Sequence, residues 1–432
     1  MSIIERFPSS ARRSRISAAL GGAILIVGAI LTAAGPASAA SVITEVTVGE
    51  MPIRVAIAPD GQRAYVTNRG SNTVSVINTE ANEVIATIDV GRTPYGVAVT
   101  PDGSRAYVTN HGGHSVSVID TEANSVATTV QLPTGSIPRA VAITPDGQYA
   151  YVVHQSGATV SVIDTDTNTV VGTIRVGAGP REVAIAPDGL HVYVTDNIDN
   201  TVSQISTETN TVVDTISVGT DPLGVAVTPD SLGVYVVNNT DNTVSQIDVA
   251  TGIATAIPVG AKPMNVAITP DGQQVYVTNH SDSTMSVIDA GSSAVTSTFL
   301  VGKGPEGFAI TPDGLGAYVA QSGSGLVSVI AFDQAPTISG TPPAGGVGQS
   351  YDHTFTLTGE PIPTTHVTSG ALPEGMELSL DGVLSGTPTE PGQFAFTVTA
   401  SNDVGADVGL PVVLDITTDT PTPALGSLGS VG

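Results

Sequence analysis

The chain of 432 residues contains no cysteine and no tryptophan, and only two lysines stand among its 14 basic residues. Without cysteine there is no disulfide, no thiolate metal site, no c-type haem attachment and no lipidated N-terminal cysteine. The basic residues face 39 acidic ones, for a formal net charge of −25. Such a surface repels phosphate backbones, and seven Phe with no Trp make a poor stacking platform for bases. Nucleic acid is therefore disfavoured as a partner. Gly-x-Ser-x-Gly, His-Glu-x-x-His and the P-loop pattern are also missing, so the expectation is a non-catalytic protein with no resident cofactor.

One apolar run is present, near the start. Arg6, Arg12, Arg13 and Arg15 precede an apolar stretch at 16–31, and Ala37-Ser38-Ala39 follows it. A basic start, an apolar centre and small residues at the end read as a signal peptide, 1–39, cut after Ala39. Because the stretch approaches spanning length, an uncleaved membrane anchor is the alternative. Arg12-Arg13 is compatible with twin-arginine export, although the residues after it do not follow the usual continuation. Taking four Arg and Glu5 away leaves 10 basic and 38 acidic residues, a net charge of −28. The expected location is secreted, at the cell surface or in the cell envelope.

The informative feature is a repeat. Tyr65, Tyr107, Tyr151, Tyr193, Tyr235, Tyr276 and Tyr318 each open a Tyr-Val pair, at spacings of 42, 44, 42, 42, 41 and 42 residues. A unit of about 40 residues built from short strands cannot bury its faces alone, and marks a blade of a β-propeller. Seven units predict seven blades over 42–332. Within a unit, Val97 to Thr100, Ala106 to Asn110 and Ser115 to Asp120 read as successive β-branched strands. The Pro-Asp-Gly at 101–103 suits a tight turn between the first two, because Pro presets φ and Gly accepts a positive φ. Asp102, Asp146 and Asp188 are accordingly turn residues. The fourth strand carries Pro133 in unit two and Pro258 in unit five, and must then be the outer edge.

The seventh unit lacks a fourth strand after Phe332, whereas residues 42–49 (Val-Ile-Thr-Glu-Val-Thr-Val-Gly) match the fourth-strand pattern with no unit before them. The N-terminal strand is expected to complete the last blade and so close the ring.

The recurring Pro-Asp-Gly, Tyr-Val-Thr-Asn and Val-Ser-Val-Ile-Asp resemble the YVTN family of seven-bladed propellers, found in bacterial and archaeal exported and surface-layer proteins. Ser231 replaces the turn Gly in unit five, and Val153-His154 and Ala320-Gln321 replace Thr-Asn. From Ala335 the repeat stops. Gly348-Gln349-Ser350-Tyr351, Gly370-Ala371-Leu372-Pro373-Glu374-Gly375, Leu384-Ser385-Gly386-Thr387-Pro388 and Phe394-Ala395-Phe396-Thr397-Val398 resemble the Ig-like domains of bacterial surface proteins, a cadherin-like β-sandwich over 336–418. Alternation in 394–399 and 413–417 independently reads as half-buried strands. Residues 419–432 form a Pro/Gly/Ser/Thr tail without a core.

Each segment entering an innermost strand carries a fixed Pro followed by two variable residues. These pairs should ring the channel as loop residues: Ile53-Arg54, Tyr95-Gly96, Arg139-Ala140, Arg181-Glu182, Leu223-Gly224, Met264-Asn265 and Glu306-Gly307. Arg54, Tyr95, Arg139, Arg181, Glu182, Asn265 and Glu306 are thus candidate ligand residues. The competing structural reading is that Glu182 and Glu306 neutralise the arginines. His111 and His114, with His154 and His280 at or beside the equivalent position in other units, are solvated loop residues by default and weak metal candidates, since no third ligand is identifiable. Resemblance to cadherin-like sandwiches implies calcium, for which Asn402, Asp403 and Asp407 are the nearest candidates. The function expected is a binding or scaffold protein of the envelope, with an unknown protein, a polysaccharide or a small anionic ligand as partner. The alternative is a propeller enzyme of lactonase, lyase or quinoprotein type acting at the channel.

Overall fold

The computed structural model describes residues 40–133, 135–402, 404 and 406–418. The leader reading at 1–39, Asp403 and the tail 419–432 lie outside these residues. Every element among the described residues is a strand, and no helix there is long and apolar enough to cross a membrane.

Blade 2 shows how the repeat folds. Pro94–Val99, Arg105–Asn110, Ser115–Asp120 and Ser125–Gln131 pair antiparallel in chain order, the first innermost and the last outermost. Pro-Asp-Gly makes the turn after the innermost strand. Asp102 Oδ1 accepts from Thr100 Oγ1 at 2.5 Å and from the Ser104 N–H at 3.0 Å, and Gly103 takes φ 73°. A Cβ on Gly103 would lie 3.8 Å from Pro59 of the preceding turn, and one on Gly61 3.7 Å from Pro312. The turns therefore abut from blade to blade, including across the junction between blades 7 and 1.

Ring closure is as the sequence implies. Ala40–Thr47 pairs antiparallel with Leu326–Phe332, with Ala40 opposite Phe332 and Thr47 opposite Leu326, and forms the outer strand of the seventh sheet. The outer strands face the edge-pairing hazard of any open sheet. Six of them carry a bulge, which leaves Ile43, Ile85, Ala127, Val171, Val213 and Thr296 without a partner opposite. Blade 5 runs in continuous register and ends its outer strand on Pro258 instead. Both devices spoil the edge as a template. Pro133, expected within the outer strand of blade 2, instead lies two residues past it, since Ser125–Gln131 ends before the proline.

The core lies between blades: Tyr65, Val74, Val76 and Ile88 of blade 1 pack on Ala106, Val108 and Ile119 of blade 2. Tyr-Val-Thr-Asn is the mortar of this arrangement. Tyr107, Tyr151 and Tyr318, buried, donate from their hydroxyls to Asn168, Asn210 and Asn82 of the next blade at 2.8, 2.7 and 2.6 Å. The motif Asn works within its own blade. Asn68 Nδ2 donates to Thr73 and Ser75, and Asn110 Nδ2 to Ser115 and Ser117, which gives a role to the serine that recurs as the third residue of this strand.

The C-terminal sheets begin at Gln334–Ser339, two residues before the boundary expected from the sequence, and close over Ile338, Tyr351, Phe355, Leu384, Phe396, Val398, Leu414 and Ile416. Asn402, a calcium candidate, spends its side chain on structure: Nδ2 donates to the carbonyls of Gln334 and Pro361, both at 2.7 Å, and Oδ1 accepts from the Val404 N–H. Asp407 is exposed, and no cluster of three or more metal-ligating side chains occurs among the described residues.

Candidate functional site

The variable pairs are not loop residues, as their proline suggested. Pro52–Ile57 begins at the proline itself, opposite Asn68, and its register then slips between Pro52 and Arg54; Pro94–Val99 and Pro180–Ile185 slip likewise. Proline is tolerated at the first strand position because its missing N–H precedes the regular ladder. The bulge that follows turns the second variable residue's N–H toward the motif threonine. Arg54 N–H donates to Thr67 Oγ1, Gly96 to Thr109, Glu182 to Thr195 and Asn265 to Thr278, at 2.8–3.1 Å. The same hydroxyls donate onward to the carbonyls of Tyr95, Arg139, Leu223 and Glu306 in the next blade, at 2.6–2.8 Å. Each threonine thus pins two rim residues by their backbones. Blades 3, 5 and 7 have Val153, Val237 and Ala320 there, and no such hydroxyl.

The side chains held in this way converge from different blades. Arg54 Nη2 of blade 1 donates to Glu182 Oε2 of blade 4 at 2.5 Å. Three blades is the largest separation a seven-membered ring allows, so this ion pair crosses the channel. Arg54 fits because blade 7 presents Gly307, where a Cβ would fall 2.5 Å from Arg54 Cδ. The Tyr95 ring meets two guanidinium groups, with Arg54 Cζ 5.4 Å and Arg139 Cζ 4.2 Å from its centroid. Arg139 Nη2 also donates to the Tyr95 hydroxyl at 2.5 Å. Burial opposes charge on Arg54, but Glu182, Tyr95 and Glu306 together hold the guanidinium above its ordinary pKa. Arg139 goes the other way: burial, then Arg181 and Arg54, lower it against the pull of Tyr95 and Glu182.

The neutralising role expected of the two glutamates is half met. Glu182 pairs with Arg54, whereas Glu306 Oε1 lies 3.6 Å from His280 Nε2 and accepts from Ser322 Oγ at 3.3 Å. Among the described residues Arg139 and Arg181 pair with no carboxylate; their partners are the side-chain oxygens of Tyr95, Gln155 and Asn197. Asn265 folds back on its own strand, its Oδ1 accepting from the Val266 N–H.

A second layer was missed from the sequence. The residue after each motif Asn position reaches the same rim: His111 lies beside Tyr95, Gln155 meets Arg139, Asn197 meets Arg181, and Asn239 donates to the Pro263 carbonyl. Variability just after a fixed tetrapeptide was the available signal. His111 belongs to this layer, and burial with Arg139 and Arg69 lowers its pKa. His114 instead bonds the Ser136 carbonyl, and His154 takes the Asn position, bonds Ser161 Oγ at 2.7 Å and is pushed down to about 4 by burial. These histidines are not gathered into one centre.

A family model described as "Lactonase, 7-bladed beta-propeller" matches residues 92–175 and 168–338, more than half of the chain. The chain belongs to this lactonase propeller family. A second model, "Putative Ig domain", matches residues 358–417 of the same chain. The lactonase-family propeller also resembles the solved structure titled Kuenenia stuttgartiensis Hydrazine Synthase, at 24% identity and a TM-score of 0.61, over 65% of this chain and 95% of that one. At that identity the likeness speaks for the fold alone. Comparison with curated proteins gave no match.

Proposed function

We propose that this protein is an exported, non-catalytic binding protein of the cell envelope, taking a small anionic ligand or the charged groups of an acidic polymer at the channel mouth. The Ig-like domain would serve as a second interaction module. One observation carries the reading. Three of the ten basic residues outside the leader segment, Arg54, Arg139 and Arg181, come from three blades to the channel mouth, the first two against Tyr95 and the third within electrostatic reach of Arg139, and a single carboxylate is in salt-bridge contact with them among the described residues. On a chain of net charge −25 such a concentration of cations favours an anion there. Each desolvated, charge-assisted contact would contribute about 1.5–3 kcal/mol.

A thermal-shift screen of anionic metabolites and wall polymers, on the wild type and the Arg54→Ala/Arg139→Ala/Arg181→Ala variant, tests it. Anion-dependent stabilisation of the wild type alone is expected. No response from the wild type, or a response that survives loss of all three arginines, removes the site.

A propeller enzyme is the second reading, favoured by the family description and by the cluster of His280, Glu306 and Ser322, whose Glu306 lies within electrostatic reach of Arg54. Turnover of a lactone panel that is abolished by His280→Ala would support it over binding alone.

A further inference from the structure

We propose that Glu182 is a built-in occupant of the anion site, a carboxylate of the chain's own that sits in the Arg54 fork and that an incoming carboxylate or phosphate must displace. This rests on the reading of the mouth as an anion site.

Three observations point to a closed, poised state. Glu182 reaches Arg54 from three blades away, although Arg181, its own neighbour in the chain, stands at the same mouth. The pair satisfies only part of the guanidinium: Arg54 Nη1 and, beside Glu182 in sequence, Arg181 Nε are buried without a hydrogen-bond partner. Unsatisfied donors on buried cations are costly, so a rearrangement that lets an external anion with more oxygens meet them is downhill. Finally, the Tyr95 ring already carries cation contacts from both Arg54 and Arg139, and its hydroxyl accepts from Arg139. Recognition then falls to guanidinium edges, which suit carboxylate and phosphate oxygens. Gly307 permits this arrangement, because any side chain there would meet Arg54.

The test compares citrate and inorganic phosphate binding to wild type and Glu182→Gln by titration calorimetry, with Arg139→Ala as a second variant. Removing the internal competitor should tighten binding of at least one probe tenfold or more, while Arg139→Ala weakens it. Because Glu182→Gln leaves Arg54 buried without its counter-ion, the variant is purified in citrate and its melting followed as citrate is withdrawn. Melting that falls on withdrawal and recovers on return, with little change in the wild type, supports displacement. Equal or weaker binding by Glu182→Gln, while Arg139→Ala still abolishes binding, overturns the proposal and leaves the anion site standing. If neither protein binds either probe and citrate does not restore melting, both fall together.

Discussion

Arg54 and Glu182, 128 residues apart, meet at 2.5 Å across the channel and tie blade 1 to blade 4. The attraction between them is set against the desolvation of both charges, so the pair itself adds little net stability while the loss of one partner strands the other. Either Arg54→Met or Glu182→Gln should therefore lower the unfolding free energy by about 3 kcal/mol. The double variant should lose less than the sum of the two. A double-mutant cycle by urea denaturation measures this, and additive losses would mean that the contact is not formed in solution.

Asp196 occupies the position held by Asn68, Asn110, Asn238 and Asn279 in other blades. It accepts from Ser203 Oγ at 2.6 Å, but its Oδ1 has no hydrogen-bond partner, and burial pushes the carboxyl up from 3.8 to about 6. A folded pKa above the unfolded one means stability that is complete below about pH 4 and lost as pH rises through 6. Asp196→Asn should accordingly change little at pH 4 and stabilise by about 1–3 kcal/mol at pH 8. Guanidinium titrations at the two pH values check the sign.

Ser231 has φ 64°, alongside turn glycines at 73–75° in the other six blades. Relief of the Cβ strain by Ser231→Gly is worth about 0.5–1 kcal/mol, reduced by a looser unfolded chain. The hydroxyl also accepts from the Asp188 N–H at 3.1 Å in the preceding turn, an exposed bond that the variant gives up. A net gain of a few tenths of a kcal/mol is expected from these opposing effects. A clear loss in a melting curve would show that the inter-turn bond outweighs the strain.

Deleting residues 40–47 removes the outer strand of blade 7 and exposes Leu326–Phe332 as a new edge. Melting should fall and the protein should elute as aggregates. A monomer of unchanged melting temperature would mean that the ring holds without its closing strand.

Blade number and ring closure were legible in the sequence because each unit repeats the same buried Tyr and the same turn, and a missing fourth strand at one end is answered by a spare one at the other. The bulged start of the innermost strand was not legible: Pro followed by two variable residues reads as a loop, and only the pairing that begins with Pro52 opposite Asn68, repeated in the other blades, shows the segment to be strand. Nor does any local signal say that Arg54 reaches Glu182 and that Glu306 turns to His280. Those choices depend on side-chain length across a closed ring, and on Gly307 leaving room.

The anion site is tested most directly by growing crystals of the protein in selenate and computing an anomalous difference map. The account predicts a selenium peak at the channel mouth, within hydrogen-bond reach of Arg139 or Arg181, that disappears in Arg139→Ala/Arg181→Ala. Ordered selenate found only elsewhere, with both arginines well defined and still turned to Gln155 and Asn197, would contradict it.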